Sequence, residues 1–228
     1  MMTYSGQMDA NSEHSNARAR QASATAPHRT QADRREESQR RMLQAAATLI
    51  GQNGIRGTSL AEVGIRAGYS RGLPVERYQT KLGMVQALLN DMDSWMTKVF
   101  DDVTLGVTGV DAVTALVGAH VASARHLPEG TAAFHAIRHE ARFGMPELRA
   151  SVEDMTRRWR SRLAVHICEA QAASQFRGDI DANVQARAII ALISESMRDE
   201  PGEAGGDKLA MDLLELIRRL FAHADVNL

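Results

Sequence analysis

The chain has 228 residues, 44% of them hydrophobic, with 27 Lys and Arg against 28 Asp and Glu and a net charge of −1. That length allows one large or two small domains with a real buried core. Its single cysteine, Cys168, excludes an intrachain disulfide and points to a reducing compartment. The N-terminus lacks an apolar signal region, and stretches such as Ala188–Ile193 fall far short of the ~20 residues of a membrane helix. A soluble, cytoplasmic protein is expected.

Residues 1–33 are rich in Ser, Ala, Gln, Asn and Arg without an apolar period. They cannot bury enough surface to offset ordering entropy and are expected to be disordered. A first helix is expected from about Glu36 to Gln52, where Met42, Ala46, Leu49 and Ile50 share a face and Asn53-Gly54 supplies the stop. The next stretch, Arg56 to Lys81, reads RGTSLAEVGIRAGYSRGLPVERYQTK. Thr58 or Ser59 can cap a helix, and Ser59-x-x-Glu62 fits a capping box. Leu60, Val63 and Ala67 give that helix an apolar side, and Gly68 can take the left-handed conformation that ends it. Ser70 reads as a second cap, opening a short segment with Arg71, Leu73, Arg77 and Tyr78. Helix, tight turn, helix is the plan of a helix-turn-helix, whose second helix enters the DNA major groove.

From Met42 to Leu89 the chain resembles the DNA-binding region of the TetR family of bacterial transcription regulators. The matching pieces are Leu43, Ala46 and Ala47, then Gly54, Thr58-Ser59-Leu60, Ala67-Gly68-Tyr69-Ser70-Arg71-Gly72, Tyr78 and Thr80-Lys81. From about Arg34 onward the length and the all-helical remainder also fit. The resemblance implies an all-α protein: a disordered tail (1–33), a three-helix DNA-binding head (34–81), and a helical ligand-binding and dimerisation body (82–228). Charge supports the division. Residues 34–81 hold nine basic and four acidic side chains, an excess of +5, so the remainder sums to about −6. A basic head on an acidic body suits a DNA reader with a separate regulatory part.

Phosphate contacts give most of the affinity and base contacts the choice of sequence. Thr58 and Ser59 lie at a helix start suited to phosphate, and Lys81 lies near the start of the next helix. In the family resemblance the positions of Thr58 and Lys81 meet the DNA backbone. Arg71 is the candidate for guanine, since its forked donors fit O6 and N7. Leu73 could pack on a thymine methyl, while Tyr69, Ser70, Arg77 and Tyr78 could reach phosphate or base edges. The chain departs from the pattern at Val75, where relatives commonly carry Tyr. It departs again at Pro74, whose missing N–H calls for a helix that begins late or opens irregularly. Glu76 adds a negative charge to the same segment. The basic tail residues Arg18, Arg20 and Arg29 could form an arm near the minor groove, against the plainer reading of a solubilising tail.

A fourth helix is expected from about Lys81 to Phe100, beginning in the head and ending in the body. Further helices are expected over Val110–Leu127 (ended by Pro128), Thr131–Phe143, Pro146–Ser174, Ala182–Arg198 and Lys208–Ala224, with a turn-rich Pro201–Gly206. In the last helix Leu209, Leu213, Leu216 and Leu220 share a face, flanked by Ala210, Leu214, Ile217 and Phe221. So wide a stripe suggests burial on two sides; the family resemblance implies that this helix and the preceding one, with its small residues, pair with their copies in a homodimer, against the plainer reading of a helix central to its own domain.

The resemblance also implies a pocket for a small-molecule effector and, as the leading function, a ligand-responsive regulator, in particular a repressor of a palindromic operator. Candidate pocket residues are Met92, Trp95, Met96, Val117, His120, Phe134, Ile137, Trp159 and His166. For each, ordinary core is the competing reading. His135-x-x-x-His139 has zinc-pair spacing but no evident third ligand. No cofactor is expected, and no triad, phosphate loop or zinc-hydrolase helix points to an enzyme. Cys168 reads as a buried small apolar residue. Two rival readings are a helical small-molecule or metal-binding protein whose helix-turn-helix no longer reads DNA, and a helical metalloenzyme using His135 and His139.

Overall fold

The computed structural model describes residues 30–196 and 206–222, and over these the fold is all-α. In chain order the helices are α1 (Gln31–Asn53), α2 (Leu60–Arg66), α3 (Leu73–Tyr78), α4 (Lys81–Val103), α5 (Gly109–His126), α6 (Pro128–Phe143), a 3₁₀ turn (Pro146–Leu148), α7 (Arg149–Ala172), α8 (Ala182–Ser196) and α9 (Gly206–Phe221). Of the disordered tail expected over residues 1–33, residues 1–29 lie outside the described residues, as do the turn-rich segment to residue 205 and the chain beyond residue 222, while Gln31–Asp33 are not disordered but helical.

Helix α1 begins five residues before the expected start because Thr30 and Asp33 cap each other. Thr30 Oγ1 accepts from the Asp33 amide at 3.1 Å, and Asp33 Oδ2 accepts from the Thr30 amide at 2.9 Å. By contacts the chain divides part-way along α1, between Gln39 and Arg40. From Arg40 onward Met42, Ala46 and Ile50, one per turn, are fully buried and join a core with Ile55, Val63, Met84, Val85 and Leu88.

Farther along, α7 buries Val152, Met155, Trp159, Leu163, Ile167 and Ala170 at three- and four-residue spacing. It packs against both α5 and α8, while α9 lies on α5. Helix α9 buries Leu213, Ile217 and Phe221 but leaves Leu216 and Leu220 exposed. Its last turn is fastened to the α7–α8 connection: Arg177 N–H donates to the Phe221 carbonyl at 2.8 Å, and the Phe176 and Phe221 rings lie 6.2 Å apart.

Several expectations need correction. Helix α5 stops at His126, just before the expected Pro128, but Pro128 is also the first residue of α6, which so begins three residues before the expected Thr131; its missing N–H costs no helical bond there. The long helix expected from Pro146 opens as a 3₁₀ turn and becomes α-helical only at Arg149. Cys168 is exposed, because it follows buried Ile167 by one residue and so turns about 100° off the buried face of α7.

The start of α5 is held from far along the chain. Thr108 occupies the N-cap position without a side-chain cap bond. Glu169 Oε2 accepts from Gly109 N–H at 3.0 Å instead, and Gln175 Oε1 from Val110 N–H at 3.2 Å. Acceptors 60 and more residues away thus satisfy amides that a local cap usually takes. Gly109 makes this approach possible: its φ is +58°, and a Cβ there would lie 2.6 Å from Gln175 Oε1. Gly109→Ala is therefore expected to lower unfolding stability by about 1–3 kcal/mol, measured by urea denaturation. An unchanged midpoint would show that the α5 start does not need this conformation.

Candidate functional site

The helix-turn-helix is built by local caps. Ser59 Oγ accepts from the Glu62 amide at 3.2 Å while Glu62 Oε2 accepts from the Ser59 amide at 2.8 Å, completing the expected capping box. The Ser59 hydroxyl, which donates to Glu62 Oε2 at 2.7 Å, and then the Ser59 amide hold the Glu62 carboxyl below the ordinary carboxylate range. Gly68, at φ +81°, stops α2, and Tyr69 N–H returns to the Gly64 carbonyl at 2.9 Å. Gly64 lets α3 come close, since a Cβ there would meet the Ser70 carbonyl at 2.5 Å and the Pro74 ring at 3.1 Å.

Helix α3 begins late, as Pro74 requires. Its N-cap is Gly72, without a side-chain cap bond, so Ser70 does not cap this helix; Ser70 instead accepts from Leu73 N–H through its carbonyl, at 3.3 Å. Pro74 is then the second helical residue, whose N–H would have no partner inside the helix. Only Leu73–Tyr78 are helical. The helix ends in strain: Gln79 has φ +62° and ψ −47°, and Thr80 N–H donates across it to the Tyr78 carbonyl at 2.6 Å. That is a γ-turn in the unfavourable positive-φ form. Thr80 then caps α4, its hydroxyl accepting from Gly83 N–H at 3.0 Å.

The nine residues predicted for DNA fall into two groups. Ser59, Ser70 and Arg71 are exposed, and Tyr69, Leu73 and Arg77 are half-buried. The other three have inward commitments. Thr58 is buried and donates its hydroxyl to the Gly54 carbonyl at 2.9 Å. Lys81 Nζ donates to the carbonyls of Ile55 and Arg56 at 3.0 and 3.2 Å. Tyr78 packs against the core with its hydroxyl buried and unpartnered among the described residues, and burial pushes that phenol above its ordinary range. Leu73 packs there too.

In the body, a cavity of about 190 Å³ is lined by Phe100 and Thr104 at the end of α4, Leu116 on α5, and Arg162, Val165 and His166 on α7. His166 Nδ1 lies 2.8 Å from Glu169 Oε2. Beside the cavity wall is a ring cluster. Phe100 stacks on His120 at 6.1 Å, Trp159 meets His120 edge-on at 5.5 Å, and Phe134 lies 5.6 Å from Trp159. Asp93 of α4 fixes the indole, accepting from Trp159 Nε1 at 2.9 Å and pairing with Arg158 at 2.6 Å. Desolvation, and then the nearby His135, lower the His120 pKa to about 4.

Of the predicted pocket residues, His166 lines the cavity, and His120, Phe134 and Trp159 meet in the adjacent cluster. Met96, Val117 and Ile137 are buried core, Met92 is half-buried against it, and Trp95 is 40% exposed. Phe100, Thr104, Leu116, Arg162 and Val165 were missed. Spacing offered a signal: Leu116 precedes His120 by four residues and Arg162 precedes His166 by four, which places each pair on one helix face. His139 is exposed against Phe143, at 5.0 Å, and no group of three or more metal-ligating side chains is gathered among the described residues.

Residues 109–200 match the family described as tetracyclin repressor-like, C-terminal domain. No protein of curated function matches the chain. Among solved structures, one assigned to the TetR-family transcriptional regulators, from Rhodococcus sp., is 25% identical with a TM-score of 0.70, over 82% of this chain and 100% of that one. A transcriptional-regulator structure from Saccharomonospora viridis in complex with choline is 20% identical with a TM-score of 0.72, over 82% and 99%. The ketosteroid transcriptional regulator KstR2 of Mycobacterium tuberculosis is 18% identical with a TM-score of 0.66, over 80% and 95%. The last two likenesses show a shared fold.

Two outcomes follow from this geometry. Gln79→Gly relieves the positive φ and is expected to raise stability by about 1 kcal/mol, the strain removed less the added backbone entropy; a lower melting temperature would contradict it. His120 is neutral in the fold and protonates near pH 6.5 when unfolded. Its contribution is whole above pH 6.5 and falls away as pH drops towards 4, by about 3 kcal/mol. Thermal melts of wild type and His120→Phe across that window should differ in slope, and parallel curves would refute the assignment.

Proposed function

We propose that the chain is a transcriptional regulator of the TetR family, a repressor that grips a palindromic operator as a homodimer and releases it on binding a small molecule. The observation that carries the reading is the helix-turn-helix itself: a fully capped α2, a tight turn at Gly68, and a short α3 preceded by exposed Ser70 and Arg71. Arg71 reads a guanine, and Ser59, Ser70, Tyr69 and Arg77 hold phosphates or base edges. Thr58, Tyr78 and Lys81 support this surface from behind. The domain division is a head over residues 34–81 on a body over 82–228.

Dimerisation through α8 and α9 is supported by the apolar side chains they leave outside the core: Val184, Met211, Leu216 and Leu220 are each more than 40% exposed. Two-fold pairing would present two heads to half-sites ~34 Å apart. Effector control is supported by the way the head meets α6. A Cβ on Gly51 of α1 would lie 3.0 Å from the Glu129 carbonyl and 3.1 Å from Ala132, and Arg56 pairs with Glu140 at 3.3 Å. A shift of α6 would therefore be felt at α1. Among the described residues no helix is long and apolar enough to cross a membrane; a cytoplasmic location and a non-enzymatic role complete the proposal.

A second reading, a helix-turn-helix that no longer reads DNA, draws on the inward commitment of Thr58, Tyr78 and Lys81. Fluorescence anisotropy against a library of palindromic duplexes separates the two. Specific binding should be tighter than binding to random duplex by about 10³-fold or more and should fall steeply with salt. Arg71→Ala should cost about 1–3 kcal/mol and relax one base position. Lys81→Ala should lower the melting temperature while leaving the salt slope nearly unchanged. No sequence preference in the wild type would favour the second reading.

A further inference from the structure

The 190 Å³ cavity is small beside the ~300–1,000 Å³ of most ligand sites and close to the ~150 Å³ that holds benzene in an engineered core. One substituted ring fills it. Phe100, Leu116 and Val165 give it an apolar lining, and the polar side chains on its wall are Thr104, Arg162 and His166. Each has a settled hydrogen-bonding sense. Thr104 spends its hydroxyl proton on the Phe100 carbonyl at 2.7 Å, so its oxygen remains an acceptor. Arg162 donates to the Thr97 carbonyl at 3.1 Å and pairs with Asp101, so its charge is already balanced.

His166 is oriented by Glu169. Glu169 Oε2 accepts from Gly109 N–H at 3.0 Å and lies 2.8 Å from His166 Nδ1. The Gly109 amide, with His166, keeps that carboxyl in its charged form, so it can only accept. In the neutral imidazole the proton therefore sits on Nδ1, and Nε2 carries a lone pair. No hydrogen bond engages Nε2 among the described residues. Besides the Arg162 N–H groups not given to Thr97 and Asp101, the polar groups left for a ligand are Nε2 and the Thr104 oxygen, both acceptors.

We infer that this cavity is the effector site of the regulator proposed above and that it takes a small uncharged ring compound bearing a hydrogen-bond donor, a phenol or a cyclic alcohol, whose hydroxyl donates to His166. A carboxylate has no proton to offer the two acceptors, and Asp101 already balances the Arg162 charge. An ammonium would find no carboxylate among the lining side chains. An unsubstituted hydrocarbon would fill the space but leave both acceptors unmet.

Titration of the full chain with p-cresol, toluene, 4-methylbenzoate and 4-methylbenzylammonium, followed by ligand NMR and calorimetry, tests this. p-Cresol should bind about tenfold or more tighter than toluene, the worth of one sequestered hydrogen bond, and tighter than either ion. His166→Phe should erase the difference between p-cresol and toluene, while His166→Gln, which restores an acceptor, should recover part of it. Toluene affinity reports whether each variant retains the cavity, and the four-probe ranking in wild type stands without any variant. Equal binding of p-cresol and toluene, a preferred ion, no binding of any probe at millimolar concentration, or a p-cresol preference surviving in His166→Phe with toluene binding intact would overturn the inference. These titrations contain no DNA, so their failure leaves operator binding untouched, and loss of operator binding leaves them untouched.

Discussion

The ammonium of Lys81 sets the relation between the head and everything after it. Two of its three N–H groups are given to the carbonyls of Ile55 and Arg56, in the connection between α1 and α2. Charge-assisted bonds of this kind are roughly twice as strong as neutral ones. They reach across 25 and 26 residues and tie the first residue of α4 to the helix-turn-helix. Thr80 caps the same turn of α4, and the strained Gln79 is the short bridge between them. Strain of this sort persists only where the surroundings over-determine the backbone. Here the Lys81 anchor on one side and the packed Tyr78 on the other supply that constraint.

The same helix carries the body's chemistry at its far end. Asp93 holds the Trp159 indole, Phe100 forms both a cavity wall and a stacking partner for His120, and Thr104 closes the helix at the cavity. Helix α4 thus runs without interruption from Lys81, bonded to the head, to Asp93, Phe100 and Thr104 at the candidate effector site. An occupant that moved Phe100 would act on a helix whose other end is bonded to the α1–α2 connection. A ligand shifts such an equilibrium only by its difference in affinity for the two states. For a single small ring that difference is modest, so the two states must lie close in free energy for release to follow.

Local signals made the head legible and tertiary ones hid its chemistry. Ser59-x-x-Glu62 and Gly68 act within a few residues, and the bonds they predict are all present. Pro74 foretold a late helix for the same reason: a missing N–H has consequences within one turn. The roles expected for Thr58 and Lys81 rest on their places at helix starts and on the family resemblance, and neither of these says what lies behind a side chain. A carbonyl 26 positions away claims the Lys81 amine, and no local pattern announces that. The body repeats the contrast. Periodicity found the buried faces of α1 and α7, but Cys168 shows that one residue of offset turns a side chain out of the core. Glu169 and Gln175 cap α5 across the fold, a service usually read from the residues just before a helix.

The apolar side chains of α9 can be sorted by the same logic. Leu213, Ile217 and Phe221 follow a four-residue spacing and pack inward, each fully buried large side chain being worth about 1.5–3 kcal/mol. Leu216 and Leu220 follow the same spacing one position earlier and remain about half exposed. One core cannot cover both rows, because adjacent residues on a helix diverge by about 100°. With Met211 and, on α8, Val184, the outer row leaves an apolar surface on the elements farthest along the chain from the DNA-reading turn. A surface placed there can pair two copies without obstructing either helix-turn-helix, which is what two-fold reading of a palindrome requires.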